Sequence, residues 1–199
     1  MSISSTTITG RLTTQTCAAE VFVNTAVAMF RDNGARHLSV FDQHPAPLYA
    51  TDAGGTITYF NSACVEFAGR TPALGVDRWC VSWKLHGSDG AALPHDQCPM
   101  AIAVREGRSV RGVEAFAERP DGVRRGFRPF PTPAIDAAGS VLGAVNLLVP
   151  TDGHRRRSLL ATATKCRNLA CWVSDRQASD TLKHMADECE QQAAVLALN

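Results

Sequence analysis

The sequence lacks any run of residues apolar enough to cross a membrane, has almost no net charge, and has few aromatic residues. A spanning helix needs roughly 18 to 20 consecutive apolar residues. The best candidate, Ala18 to Phe30, is interrupted by Glu20, Asn24 and Thr25 and preceded only by Arg11, which makes a poor secretory signal. With 20 basic against 19 acidic residues the net charge is +1. No overall field therefore draws the chain to nucleic acid or to an anionic membrane, and neither is expected as a partner. Seven cysteines are an odd number without compact spacing, which fits reduced thiols in a cytoplasm rather than a disulfide scaffold. The sequence also lacks a Gly-rich phosphate loop, a Gly-x-Ser-x-Gly elbow and a metalloprotease helix, so no enzyme is expected. What remains is ordinary globular material, 45% hydrophobic and 20% charged over 199 residues. That is room for one domain with appendages, or two small ones.

Hydrophobic period divides the chain. The first ten residues, rich in Ser and Thr, are expected to be loose. From about Thr13 a helical stripe of Cys17, Ala18, Val21, Phe22, Thr25, Ala28 and Met29 runs to a stop at Asn33-Gly34. Such a helix must pack on the main domain or on a second copy of itself. Pro47 to Thr51 and Thr56 to Phe60 predict a hairpin closed by Asp52-Ala53-Gly54-Gly55. Asn61 predicts the cap of a short helix over Ser62 to Ala68, stopped by Gly69. Residues 71–94 read as loops and short helical turns. Asp96 reads as the N-cap of a helix to Glu106, stopped by Gly107. Strands are predicted over Val110 to Glu118, Val123 to Phe130 and Val141 to Val149, joined by turns at Arg119-Pro120-Asp121-Gly122 and Asp136-Ala137-Ala138-Gly139. Beyond Asp152 come a basic linker, His154-Arg155-Arg156-Arg157, and a stretch without Gly or Pro. Ser174 and Gln177 read as a capping box. Ala178, Leu182, Met185, Cys189, Ala193 and Leu196 then read as a 4-3-4-4-3 seam.

The middle of the chain resembles the PAS sensor family. The residues that carry the resemblance are Pro45-Ala46-Pro47-Leu48-Tyr49-Ala50-Thr51-Asp52, Gly55, and Ile57-Thr58-Tyr59-Phe60-Asn61, then Pro133, Asp136, Gly139 and the strand Val141 to Asn146. Trp79-Cys80, Asp89-Gly90, Leu93-Pro94 and Cys98-Pro99-Met100 are similar to PAS domains attached to bacterial signalling proteins. The resemblance implies an α+β fold: a five-stranded antiparallel sheet with helices on one face, here flanked by N- and C-terminal amphipathic helices. It places a tail and flanking helix at residues 1–38, the sensor domain at 39–152, and the basic linker with a helical segment at 153–199. Family members often end in an Asp-x-Thr element that couples the last strand to an effector helix; here the stretch reads Pro150-Thr151-Asp152. The implied function is non-catalytic signal transduction, with a small ligand or cofactor between helices and sheet. The flanking helices would support a homodimer or dock on a signalling partner.

Trp79, Trp83, Met100, Phe116, Phe127 and Phe130 are candidates to line an apolar cavity, and Asn146 is polar within an apolar strand. Taken singly, each of the apolar residues reads first as core, and Asn146 reads as easily as a side chain satisfying backbone groups at a bulge. Cys98 before Pro99 can present a thiolate to haem iron, and His95 an imidazole. Cys80, His86, His95 and Cys98 hold zinc-compatible groups at spacings of no common zinc module. Cys80 lies where light-sensing PAS domains carry a reactive cysteine, but the residues that would hold a flavin are missing. The cofactor is unknown from sequence, with haem and then flavin as the named options. The alternatives are therefore a ligand sensor, a haem-based gas or redox sensor using His95 or Cys98, and a ligand-free dimerisation or adaptor module. Arginines 105, 108, 111, 119, 124, 125 and 128, interleaved with acids, read as a solvated face.

Overall fold

A computed structural model describes the backbone of residues 5–197 and side chains over 17–151, 159–160 and 162–194. Chain contacts divide it into two units, Met1–Pro150 and Thr151–Asn199.

In the first unit, α1 (Ser5–Asn33) begins eight residues before the Thr13 start that the sequence predicts. Once a helix is nucleated, each further residue adds one hydrogen bond, so weak helix formers such as Ser and Thr are carried along. Gly34 closes it with φ of 73°, and a 3-10 helix follows over Ala35–Phe41. The sheet comprises β1 (Leu48–Asp52), β2 (Ile57–Phe60), β3 (Lys84–Gly87), β4 (Ala92–Leu93), β5 (Ala115–Glu118), β6 (Arg124–Ile135) and β7 (Val141–Pro150). Their order is β2-β1-β7-β6-β5-β3-β4, and every pair is antiparallel. The two strands beyond the expected five lie in the segment read as loops. β3 and β4 are too short for alternation to register in the sequence, and β3 forms because it pairs with β5.

Two strands differ in length from expectation. The first part of Val110 to Glu118 leaves the ladder, because Gly112 turns the chain with φ of 74°. By contrast β6 runs on through Pro129, Pro131 and Pro133. The Pro131 carbonyl points away from β7, where it accepts bonds from the Val110 amide and from Arg111 Nη1. Residues two apart in a strand share that orientation, so all three prolines put their missing N–H on the side away from β7.

The sheet is covered on both faces. One face carries α2 (Ser62–Ala68) and α3 (Pro99–Glu106), over Tyr49, Ile57, Leu85, Ala115, Ala117, Phe127, Ala144 and Leu148. The other carries α1, whose Ala19, Val23, Ala26 and Phe30 pack on Leu48, Ala50, Tyr59, Phe130, Val145 and Leu147. The packing face is not the stripe read from sequence: Cys17, Ala18, Val21 and Thr25 are exposed and Phe22, Ala28 and Met29 only partly buried, because the sheet takes the neighbouring row of Ala19, Val23, Ala26 and Phe30. Alternation in β7 feeds both layers, with Ala144 and Leu148 on one side and Val145 and Leu147 on the other.

Asn61 caps α2 as the sequence predicts, its Oδ1 accepting from the amides of Cys64 and Leu48. Asp96 does not cap α3: it sits in a 3-10 turn over His95–Gln97, and Cys98 is the N-cap with Pro99 at the first helical position. A proline there loses no hydrogen bond, so the chain enters the helix without a side-chain cap.

In the second unit α4 (Asp152–Trp172) and α5 (Arg176–Ala197) form a helical hairpin. The segment read as a basic linker is helical backbone, and the side chains of His154 to Arg157 lie outside the described residues. The cap of α5 is Asp175, whose Oδ1 accepts from the Ala178 amide at 3.0 Å, in place of the Ser174 and Gln177 box. Leu182, Ala186 and Cys189 face Ala163 and Cys166 of α4. Ala178 and Met185, read as seam residues, are exposed, and the Leu196 side chain lies outside the described residues. The buried spacing follows the α4 contact, which sequence period alone did not identify. Arg167 holds the pair with Asp187 at 2.9 Å and Glu190 at 2.7 Å.

Candidate functional site

Tyr49 on β1 and Asn146 on β7 are register partners on the face that α2 and α3 cover. Both are buried, at 1% and 2% exposure. The Tyr49 hydroxyl donates to the Trp79 carbonyl at 2.9 Å and accepts from Asn146 Nδ2 at 3.0 Å. Asn146 Oδ1 accepts from the Phe130 amide at 2.9 Å. Burial pushes the Tyr49 phenol well above its ordinary range, so it is a neutral donor. The Cys98 thiol also points to the Trp79 carbonyl, at 3.9 Å. Cys64 donates to the Leu48 carbonyl at 3.3 Å and Cys80 to Ser82 Oγ at 3.4 Å. Burial raises all three thiols, Cys98 to about 12. They are protonated at neutral pH and are not the thiolates that redox or nucleophilic chemistry needs.

Trp79 is the non-glycine residue with positive φ, 70°, among the described residues. Its ring lies against Gly55 in the β1–β2 turn, where a Cβ would overlap it. The guanidinium groups of Arg78 and Arg105 stand 5.4 and 5.3 Å from the ring centre. A bulky residue held left-handed stores backbone strain, and here the two bonds to its carbonyl hold it.

Of the residues proposed from sequence, Trp79, Cys80, Cys98, Met100, Phe127 and Asn146 come together in this layer; Phe127 meets Phe67 edge-on at 5.4 Å. Trp83 and Phe116 do not. Trp83 is 45% exposed, with Lys84 Nζ 4.0 Å from its ring centre. In β5, Ala115 and Ala117 take the core side and so turn Phe116 to the opposite face. Phe130 likewise lies on the α1 face. His95 is half-buried beside Arg70 and Asp77, and burial, with the Arg70 charge, lowers its pKa.

Of the two residues offered singly as haem ligands, Cys98 is packed in the core with its thiol on the Trp79 carbonyl, and His95 is half-buried under the influence of the Arg70 and Asp77 charges. The Cys80, His86, His95 and Cys98 set is dispersed. Strand alternation sends His86 to the face opposite Leu85, where its Nε2 meets Glu118 at 2.8 Å. Among the described residues no group of three or more His, Cys, Asp or Glu is arranged to hold a metal.

The turns that carried the resemblance occupy matching places. Asp52 Oδ1 binds the Thr56 amide in the β1–β2 turn, Asn61 caps α2, and Asp136 Oδ1 binds the Ala138 and Ser140 amides between β6 and β7. All stand on an antiparallel sheet whose strands β2-β1-β7-β6-β5 keep α2 and α3 on one face. The fold is that of a PAS domain. No protein-family model matches the chain, and no curated protein is significantly similar to it. Among solved structures, the chain is similar to a LOV protein of Rhodobacter sphaeroides at 17% identity, over 80% of this chain and 90% of that one, with a TM-score of 0.42. It is similar to the PAS domain of the fruit-fly ELK potassium channel at 15% identity, over 56% and 91%, with a TM-score of 0.45. A PAS domain from Colwellia psychrerythraea gives 15%, 58%, 93% and 0.39 in the same order.

Sequence reasoning flagged Asn146 but missed Tyr49, its partner, which reads as one more apolar strand residue. It also missed Arg111, which appeared as one of seven arginines on a solvated face. The Arg111 guanidinium grips both oxygens of Glu20 on α1, donates to Pro131 O and Thr132 Oγ1, and stands 5.3 Å from the Phe130 ring centre.

Proposed function

We propose that the chain is a non-catalytic PAS-type sensory module. A small ligand taken up on the α2–α3 side of the sheet shifts the packing of α1 on the opposite side. The flanking helices pass the change on by protein contact, in a homodimer or to a signalling partner, in the cytoplasm. No helix among the described residues is long and apolar enough to cross a membrane.

One continuous set of contacts supports this reading. It runs from the Trp79 carbonyl through Tyr49 and Asn146 to the Phe130 amide, and from the Phe130 ring through Arg111 to Glu20 of α1. Spatial continuity becomes coupling only where two arrangements compete, so the test perturbs one end and reads the other. Tyr49→Phe removes a single oxygen and should speed amide exchange over residues 19–30 of α1, with the far-ultraviolet spectrum retained. Altered exchange confined to the Trp79 loop, with α1 unchanged, overturns the route.

A ligand-free interaction module is the second reading. It is favoured by the way Cys64, Met100, Phe127 and Leu148 fill the space between the helices and the sheet.

A further inference from the structure

A cleft of about 430 Å³ opens between α3 and the β3–β4 hairpin, within the range of about 300–1,000 Å³ typical of small-ligand sites. Its walls are mainly apolar: Leu93 from β4, Pro99 and Ile102 from α3, and Val110 and Val113 from the segment before β5. The charged residues of the lining are two acids, Asp89 and Glu114. Asp89 Oδ1 is engaged by the Ala91 amide. Glu114 is half-buried and has no ion-pair partner among the described residues. Arginines near it in sequence are taken elsewhere: Arg108 by Glu106, Arg111 by Glu20 and Arg119 by Asp121.

Apolar walls with an unpaired carboxylate at one side select a ligand of matching halves. A carboxylate partly removed from water attracts a cation more strongly than an exposed one, because the surrounding dielectric is lower. A neutral ligand of the same shape leaves that charge unpaired, and an anion is repelled. We propose that this cleft binds a small organic ammonium ion, its apolar body against Leu93, Ile102 and Val113 and its N–H groups on Glu114. The inference rests on the sensory reading above and names its ligand class. α3 presents Ile102 to the cleft and Met100, Ala101 and Val104 to the core around Tyr49, so a ligand seated on Ile102 bears on the helix that packs the network.

The test is titration of the full chain, followed by amide chemical shifts and calorimetry, with three probes of one shape: phenethylammonium, 2-phenylethanol and 3-phenylpropionate. The ammonium ion should saturate and shift the amides of Ala92, Ile102 and Val113, while the alcohol binds at least about tenfold more weakly. Glu114→Gln should lower ammonium affinity by about tenfold or more and leave the alcohol unchanged. Equal binding of all three probes overturns the proposal, as does an unaffected Glu114→Gln variant with native amide dispersion. So does failure of the ammonium probe, and of a panel of alkylammonium ions, to saturate at millimolar concentration. Should no amine bind while Tyr49→Phe still loosens α1, this site is wrong and the sensory reading stands. Should amines bind at Glu114 without any change in α1 exchange, the site stands and that reading falls.

Discussion

Arg111 holds Glu20 through two parallel bonds, Nε to Oε1 at 2.5 Å and Nη2 to Oε2 at 2.9 Å, across 91 residues of sequence. Both side chains are only partly exposed, at 26% and 34%. The bidentate pair therefore ties α1 to the rim of β6 more firmly than an exposed ion pair would. The same guanidinium satisfies the carbonyls of Val110 and Pro131.

Replacing Arg111 by Ala should cost about 2 kcal/mol, since it strands Glu20 and the Val110 carbonyl at once, while the Pro131 carbonyl keeps the Val110 amide. Glu20→Gln keeps the shape, loses the charge, and should cost less. Urea unfolding checks both, and equal costs would mean that the charge contributes nothing.

Asn61 is 1% exposed and serves two segments. Its Oδ1 accepts from Leu48 and Cys64, and its Nδ2 donates to the carbonyls of Ala46, His44 and Phe41. Asn61→Ala should lower stability by at least about 2 kcal/mol, and Asn61→Ser should recover only the capping share, about 1 kcal/mol. Full recovery by Ser in a thermal melt would show that the lead-in bonds do not matter.

Acid should weaken the β3–β5–β6 corner. Glu118 meets Arg124, Lys84 and His86, and its hydrogen bond to Arg124, followed by those to Lys84 and His86, holds its carboxyl below the usual glutamate range. A depressed folded value means the contribution is whole above the ordinary glutamate pKa and is lost as pH falls through the folded one. Urea midpoints from about pH 7 down to about pH 3 should fall less steeply in Glu118→Gln than in the parent. Parallel curves would remove Glu118 as a contributor.

Turn chemistry was legible from sequence because it is local. Asp52 with Gly55, Asn61 with Gly69 and Asp136 with Gly139 each bond to backbone within a few residues. Strand β3 was not legible, for its four residues acquire meaning only beside β5. The cap of α3 was misassigned for a related reason. Asp96 is a fine capping residue, but its backbone is spent in the preceding 3-10 turn.

The sequence alone determined the hairpin, the capped helix, the three-strand run and the presence of a helix at α1, though not which face of it is buried, because each is set by period and by bonds between near neighbours. Tertiary structure decided which residues share a face and which distant groups meet. It sent Phe116 and His86 away from the core, joined Tyr49 to Asn146 over 97 residues, and gave Arg111 to Glu20. Those outcomes depend on strand register and on which layer covers each face, and a one-residue slip in register would exchange the two faces entirely.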